Sequence, residues 1–208
     1  MNIYMDKIKA IVNKFSRKNM KVYYLENKEE VFDLIKKLVP EKSVIGCGDS
    51  ITLEQCNLYN FFRNGKYIFL DKYKSGITKE EKQKIYIDNF VADTFICSAN
   101  AITEDGKIFN IDGNGSRVAP TIYGPKQVIM VVGVNKIVEN IKEAKNRARN
   151  IAAPLDAIRL DKKTPCRKMK LCVDCSSPDR ICNSFVVITG QFIKDRIKII
   201  IINEELGY

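Results

Sequence analysis

The feature that most restricts the fold of this chain is the alternation of short, wholly apolar runs with amphipathic ones. SVIGCG (43–48), DTFICS (93–98), QVIMVVG (127–133) and IKIIII (197–202) place apolar residues in succession rather than at every second position. Such a strand has no solvent face, so it belongs inside a sheet covered on both sides. The segments between have helical spacing. Residues 3–19 carry Ile3, Ile8, Ile11, Val12 and Phe15, and residues 28–39 carry Val31, Leu34, Ile35 and Leu38. A further helix starts near Ser50 or Thr52, and residues 78–91 open with Thr78 and Glu81 in a capping-box pattern. With KVYYLE (21–26) and YIFLD (67–71), the first half reads as an opening helix followed by β-α-β-α-β-α-β. The prediction is an α/β fold with a mainly parallel sheet flanked by helices on both faces.

The second half differs. Asp105-Gly106 signals a hairpin between two short strands, and Asp112-Gly113-Asn114-Gly115 is a turn or a ligand-facing loop. QVIMVVG is the strongest strand. A helix is predicted over about 137–150, ending in Lys145-Asn146-Arg147-Ala148-Arg149, then a segment started by Pro154. A cysteine-rich loop (164–183) and the strands SFVVIT and IKIIII complete what reads as one domain, 1–208. The opening MNIYMDKIKAIVNKF is amphipathic rather than a signal peptide. No run of about 18 apolar residues occurs, so no membrane span is expected. A cytoplasmic, reducing location is the resulting expectation.

The chain has no histidine, which excludes Ser–His and Cys–His catalysis and every histidine-containing metal site. Acid–base chemistry must use Asp, Glu, Lys, Tyr or Cys. The formal charge is +10, but it comes from 26 Lys against 9 Arg. The Lys are mixed with acidic residues on helices, as in Thr78-Lys79-Glu80-Glu81-Lys82, a pattern of solvated faces. Nucleic acid is therefore not the expected partner.

Two glycine loops carry the candidate binding residues. Gly46-Cys47-Gly48-Asp49-Ser50 follows a strand and precedes a helix, where open α/β sheets bind ligands. Gly46, Gly48, Asp49, Ser50 and Thr52 are candidates for holding an anion, against the alternative of a capped tight turn. The motif lacks the third glycine of a dinucleotide loop and the lysine of a P-loop. Cys47 reads as a small buried filler rather than a nucleophile. Asp112, Asn114 and Arg117 bring a carboxylate, an amide and a guanidinium within six residues, either for substrate or to brace their own loop. Lys136, past the strongest strand, could reach the same sheet edge or stay solvated. Asp112, Arg117 and Lys136 are the catalytic candidates.

PCRKMKLCVDCSSPDRIC (165–182) holds four of the seven cysteines as C-x5-C-x2-C-x6-C. Cys166, Cys172, Cys175 and Cys182 in a reducing location suit a metal better than a disulfide framework. Pro165, Pro178 and Ser176-Ser177 oppose regular structure there. Four thiolates suit a 4Fe–4S iron–sulfur cluster or a tetrahedral zinc. A single compact loop with unequal spacing favours the cluster, with zinc as the alternative and free or redox-active thiols a third option.

The stretches ADTFICSANAITEDGKIFNIDGNGSRVA and VIMVVGVNKIVENIKEAKNRARNIAAP, with GCGDSIT upstream, resemble the LUD domain, a lactate-utilisation family within the NagB/RpiA/CoA-transferase-like superfamily. The resemblance spans roughly residues 5–205. The matching positions are Gly46, Gly48, Asp49, Ser50, Ala101, Gly106, Asp112, Gly113, Arg117, Gly133, Lys136 and Arg147. It implies a CoA-transferase-like sheet, a small anionic metabolite, and redox metabolism of lactate or a related organic acid, in some members beside iron–sulfur proteins. It leaves two readings: an iron–sulfur-dependent oxidoreductase or lyase component, or a non-catalytic subunit or sensor docking a redox protein partner. A homo-oligomer stays open.

Overall fold

The computed structural model describes residues 3–208, with side chains from Met5 onward; Ile3, the first of the predicted apolar set, has its side chain outside the described residues. Six parallel strands form the main sheet: β1 (Lys21–Leu25), β2 (Val44–Cys47), β3 (Ile68–Phe69), β4 (Thr94–Cys97), β7 (Gln127–Gly133) and β10 (Ile197–Ile202). Their order is β1-β10-β7-β4-β2-β3. The strand nearest the end of the chain thus lies inside the sheet, between β1 and β7.

Successive apolar residues point to opposite faces, as strand geometry demands. Phe95, Cys97, Val128, Met130, Ile199 and Ile201 pack on one face with Ile11 and Phe15 of α1 (Ile3–Ser16). Ile96, Ile129, Val131, Ile200 and Ile202 pack on the other. There they meet Val31 and Ile35 of α2 (Val31–Leu38), Leu53 of α3 (Ile51–Gln55), and Leu58 and Phe62 of α4 (Leu58–Asn64). The helix α5 (Lys79–Asp88) has the expected capping box at Thr78 and buries no residue fully.

The strands β5 (Ala101–Thr103), β6 (Ile108–Asp112), β8 (Ile137–Val138) and β9 (Ser184–Ile188) form a second sheet in the order β8-β5-β6-β9. Its hairpin, β5 (Ala101–Thr103) and β6 (Ile108–Asp112), turns through Gly106 at φ +80, which only glycine adopts without strain. Ile102 and Ile108 join the core of the main sheet, so this sheet covers part of one face beside α1. After α6 (Val118–Ile122) and β7, the structure corrects one sequence expectation. Residues 137 and 138 are not helical: β8 (Ile137–Val138) pairs in parallel with Ile102 and Thr103. Two β-branched residues beside the open edge of β5 prefer the ladder. The helix α7 (Ile141–Arg147) starts only after Asn140, whose side chain caps it. It runs through a π turn (148–152) into α8 (Ala153–Arg159), with Pro154 in the first turn. A second correction lies in the cysteine loop. Pro165 does not oppose helix but opens a single turn, α9 (Pro165–Met169), standing where its missing N–H has no partner to lose. The strand β9 (Ser184–Ile188) then pairs with β6.

Ile200 is fully buried in β10, whereas Ile193 in the preceding loop is exposed. Ile200→Ala is expected to cost about 2–5 kcal/mol in urea unfolding and Ile193→Ala less than about 0.5 kcal/mol. Equal costs would contradict this core.

Candidate functional site

The loops at the carboxyl ends of the parallel strands surround a cavity of about 520 Å³. Asp49 and Ser50 follow β2, Lys72 and Tyr73 follow β3, Ser98 and Asn100 follow β4, and Lys136 follows β7. A parallel sheet sends all these loops to one edge, which is why residues far apart in sequence meet there.

In the first glycine loop, two backbone donors and one hydroxyl are engaged within the protein. The Gly48 N–H donates to the Ile96 carbonyl at 2.8 Å, and the Ser50 N–H donates to the Tyr59 hydroxyl at 3.1 Å. Ser50 Oγ accepts from the Leu53 N–H as the cap of α3. These donors and this hydroxyl are therefore engaged within the protein. Gly46 faces Asn89 and Phe95 in the core, away from the cavity. Gly48 instead makes room for a side chain. A Cβ there would stand 2.9 Å from Arg117 Cγ and Cys97 Cβ, so its bareness lets Arg117 cross the turn. Cys47 is buried, and burial pushes its thiol up to about 12. The Asp49 carboxylate accepts from Tyr73 Oη at 2.7 Å and from Arg159 at 2.8 Å. Burial opposes its ionisation, but these bonds hold it below the usual carboxylate range.

The second loop braces itself and still faces the cavity. Asp112 Oδ1 accepts from the N–H groups of Asn114 (3.2 Å) and Gly115 (2.8 Å), and Oδ2 from Arg117 Nε at 3.4 Å. Arg117 also donates to Asn100 Oδ1 at 3.2 Å and to the Ile111 carbonyl. Asn100 is itself held, accepting at Oδ1 from the Ile111 N–H. Arg147, a family-motif position, donates to the carbonyls of Asn100 and Asn135, tying the β4 turn to the β7 turn.

Asp49, Ser50, Asp112, Asn114, Arg117 and Lys136 line one cavity, while Gly46, Gly48 and Thr52 lie behind it. Thr52 is still connected: Lys136 Nζ donates to Thr52 Oγ1 at 2.8 Å and to Ser98 Oγ at 3.1 Å. Lys136 is only 3% exposed and has no carboxylate in ion-pair reach among the described residues. Burial first, then the cations of Arg147 and Arg117, lower its pKa from 10.5 to about 7.

Sequence reasoning missed Lys72, only 5% exposed and part of the same wall. Its ammonium lies 5.2 Å from the Tyr73 ring centroid and 5.6 Å from that of Tyr86, and forms no hydrogen bond or ion pair among the described residues. Burial lowers its pKa. Arg159 and Arg180 were missed too. Their detectable signal was position: Lys72 stands just past a parallel strand, though in no recognisable motif.

The cysteine loop reaches the cavity through Pro178, Asp179, Arg180 and Ile181, not through its sulfurs. Asn183 anchors it to the second glycine loop, donating from its backbone to the Asp112 carbonyl at 3.0 Å and from its side chain to the Gly113 carbonyl at 3.0 Å. Arg149 donates to Cys172 Sγ at 3.2 and 3.3 Å and pairs with Asp174 at 2.7 Å. Four thiols on one short loop have the chemistry of an all-thiolate centre. No three Cys, Asp or Glu side chains among the described residues gather as a ligand set, so Cys166, Cys172, Cys175 and Cys182 do not converge here.

Fold and site together define a parallel α/β protein with a cation-lined cleft at the carboxyl edge of its sheet. The family model of the LUD domain matches residues 8–202, and the chain belongs to that family. Its structure is similar to that of a DUF162 family protein from Deinococcus radiodurans, with 12% identity, a TM-score of 0.50, and coverage of 96% of this chain and 98% of that one. At that identity the likeness is one of fold. Ribose 5-phosphate isomerase A from Methanocaldococcus jannaschii is similar over 56% of each chain, with 22% identity and a TM-score of 0.37. No curated protein matches the sequence. No helix among the described residues is long and apolar enough to cross a membrane.

The lowered pKa of Lys136 has a consequence for stability. In the unfolded chain the amine stays charged up to its ordinary value near 10.5, and in the folded protein only up to about 7. Between these values the unfolded chain binds more protons, so stability rises with pH, by at most about 1.4 kcal/mol per pH unit. Below that window the cost of burying the charge is fully present. Urea unfolding of wild type minus Lys136→Met, followed from pH 7 to 9, is expected to rise in this sense. A flat difference would show that the amine is not held in this environment.

Proposed function

We propose that this LUD domain protein binds a small anionic metabolite, a lactate-type organic acid by family, in the cleft between the two glycine loops. The observation that carries the reading is the buried ammonium of Lys72, which faces the cavity against two aromatic rings, with the Asp49 charge acting on it from beyond ion-pair distance. A buried cation with no carboxylate in direct contact is costly, and an arriving carboxylate or phosphate lowers that cost. Arg117 supports the same reading: the Asp112, Asn100 and Ile111 acceptors hold its guanidinium fork in place before the ligand arrives. Calorimetric titration with L-lactate, pyruvate and inorganic phosphate is expected to detect binding that weakens with salt. Lys72→Met and Arg117→Ala should each weaken it on the order of tenfold, about 1.4 kcal/mol, while Lys66→Ala on the far surface should leave it unchanged. Binding that ignores both cavity substitutions would place the ligand elsewhere.

A second element of the reading is an iron–sulfur centre for redox work on loop 164–183, with zinc as the alternative. It is supported by the donor set and by the cation beside one sulfur, Arg149 at Cys172. Cys166, Cys172, Cys175 and Cys182 would hold the metal, and a bound cluster would supply one-electron transfer or Lewis acidity. Loading requires the loop to draw its sulfurs together. Protein purified without oxygen is expected to be brown, to absorb near roughly 400 nm, and to lose iron on Cys172→Ala. Colourless protein with one zinc per chain would point to the alternative, and metal-free protein would leave the thiols as the redox-active groups.

A further inference from the structure

Anion binding leaves one buried amine in the cleft unused. The nitrogen of Lys136 is held by two hydroxyls, Thr52 Oγ1 and Ser98 Oγ, and Thr52 is itself fixed through a bond to the Leu206 carbonyl at 3.3 Å. A lysine buried for structure alone is normally paired with a carboxylate. Here the charged neighbours are the cations Arg147 and Arg117, and the two acceptors on the nitrogen are neutral. Cationic neighbours and burial keep such a nitrogen in the amine form with its lone pair available, the condition for a nucleophilic lysine.

Its relation to the anion-binding group is set by a single turn. Ser98 and Asn100 stand two residues apart at the end of β4; Ser98 accepts from Lys136 and Asn100 accepts from Arg117. Arg147 locks that turn by donating to the Asn100 carbonyl, and locks the Lys136 turn by donating to the Asn135 carbonyl. A nucleophilic amine and a carboxylate-binding guanidinium are thus mounted on one braced frame, lining one cavity. The ligand that uses both has an electrophilic carbon bonded directly to a carboxylate.

We propose that Lys136 forms an imine with a small 2-oxo acid whose carboxylate is held by Arg117 and Lys72. The lone pair of Nζ adds to the 2-oxo carbon, forming the C–N bond, and one Nζ proton passes to the carbonyl oxygen to give a carbinolamine. The second Nζ proton passes to the hydroxyl, which leaves as water, and the C=N bond forms. The sum is amine plus 2-oxo acid giving imine plus water, with no oxidant or reductant. The positive field of Arg117 draws the carboxylate in, and the hydroxyls of Thr52 and Ser98 hold the amine in place for attack.

This inference rests on the anion-binding reading, and the test separates the two. The whole protein is incubated with pyruvate or glyoxylate, reduced with borohydride, and examined by intact mass and peptide mapping. Mapping is essential because the chain has 26 lysines. The expected result is one adduct, with the mass of the acid less one water plus two hydrogens, located at Lys136. It should vanish in Lys136→Arg and Lys136→Met with circular dichroism unchanged, and fall at least about tenfold in Lys72→Met at equal acid concentration. Lys136→Met is neutral and Lys136→Arg is cationic, so loss of the adduct in both cannot be ascribed to a change of charge. Pyruvate that binds wild type by calorimetry but is not trapped at Lys136 overturns the imine and leaves the anion site standing. Absence of trapping together with no calorimetric binding of pyruvate, glyoxylate, L-lactate or inorganic phosphate overturns both. Labelling spread over surface lysines at the rate of Lys136 also overturns the imine.

Discussion

Everything in this fold hangs on the insertion of β10 between β1 and β7. Without it the first strand has no partner in the main sheet, because among the described residues β1 pairs there with β10 alone. Ile199 and Ile201 complete the core on one face, and Ile200 and Ile202 on the other. A strand that donates and accepts on both edges and buries both faces has little room for polar residues, so β10 is apolar except for the partly buried Lys198 near its start. The same insertion reaches the site. It delivers Leu206, whose carbonyl anchors Thr52, and Gly207, where a Cβ would come within 3.0 Å of Lys136 Nζ.

The cleft is an electrostatic construction made mostly of side chains. The Gly48 and Ser50 N–H groups of the first glycine loop are engaged by β4 and α4, and the ionised Asp49 makes that loop partly repulsive to an anion. Positive potential comes instead from Lys72, Arg117, Arg159 and Arg180, brought from four different elements. Of these, Arg159 is answered by Asp49 and Asp156, and Arg117 by Asp112. Among the described residues Lys72 is in no ion pair and feels Asp49 only at longer range, and the nitrogen of Lys136 bonds to hydroxyls. The cleft therefore contains two kinds of nitrogen: cations already balanced at its walls, and amines whose burial is not compensated. The second kind is where chemistry is expected, because uncompensated burial is what perturbs a lysine.

Much of this was legible before the fold was known. The uninterrupted apolar runs identified the parallel strands, Thr78 and Glu81 identified the start of α5, and Asp105-Gly106 identified the hairpin. The errors were local competitions between neighbours. Ile137 and Val138 fit a helical pattern, but the free edge of β5 claimed them. Pro165 looked like a breaker and became the first residue of a helical turn, because its effect depends on position within the turn. Asp112, Arg117 and Lys136 were found because each stands beside a glycine or a strand end. Lys72 was not, because nothing in FLDKYK distinguishes one lysine from the 25 others until burial singles it out.

The sequence by itself determined the layered α/β plan, since the period of apolar residues is a local property that survives without knowledge of neighbours. It also determined the exclusion of histidine chemistry and the presence of a four-thiol loop. Only the tertiary structure decided which cations face one another, because side chains from residues 49 to 181 meet solely through strand order. It likewise decided that Lys136 is a buried amine rather than a solvated charge, because burial depends on what the rest of the chain places around a residue.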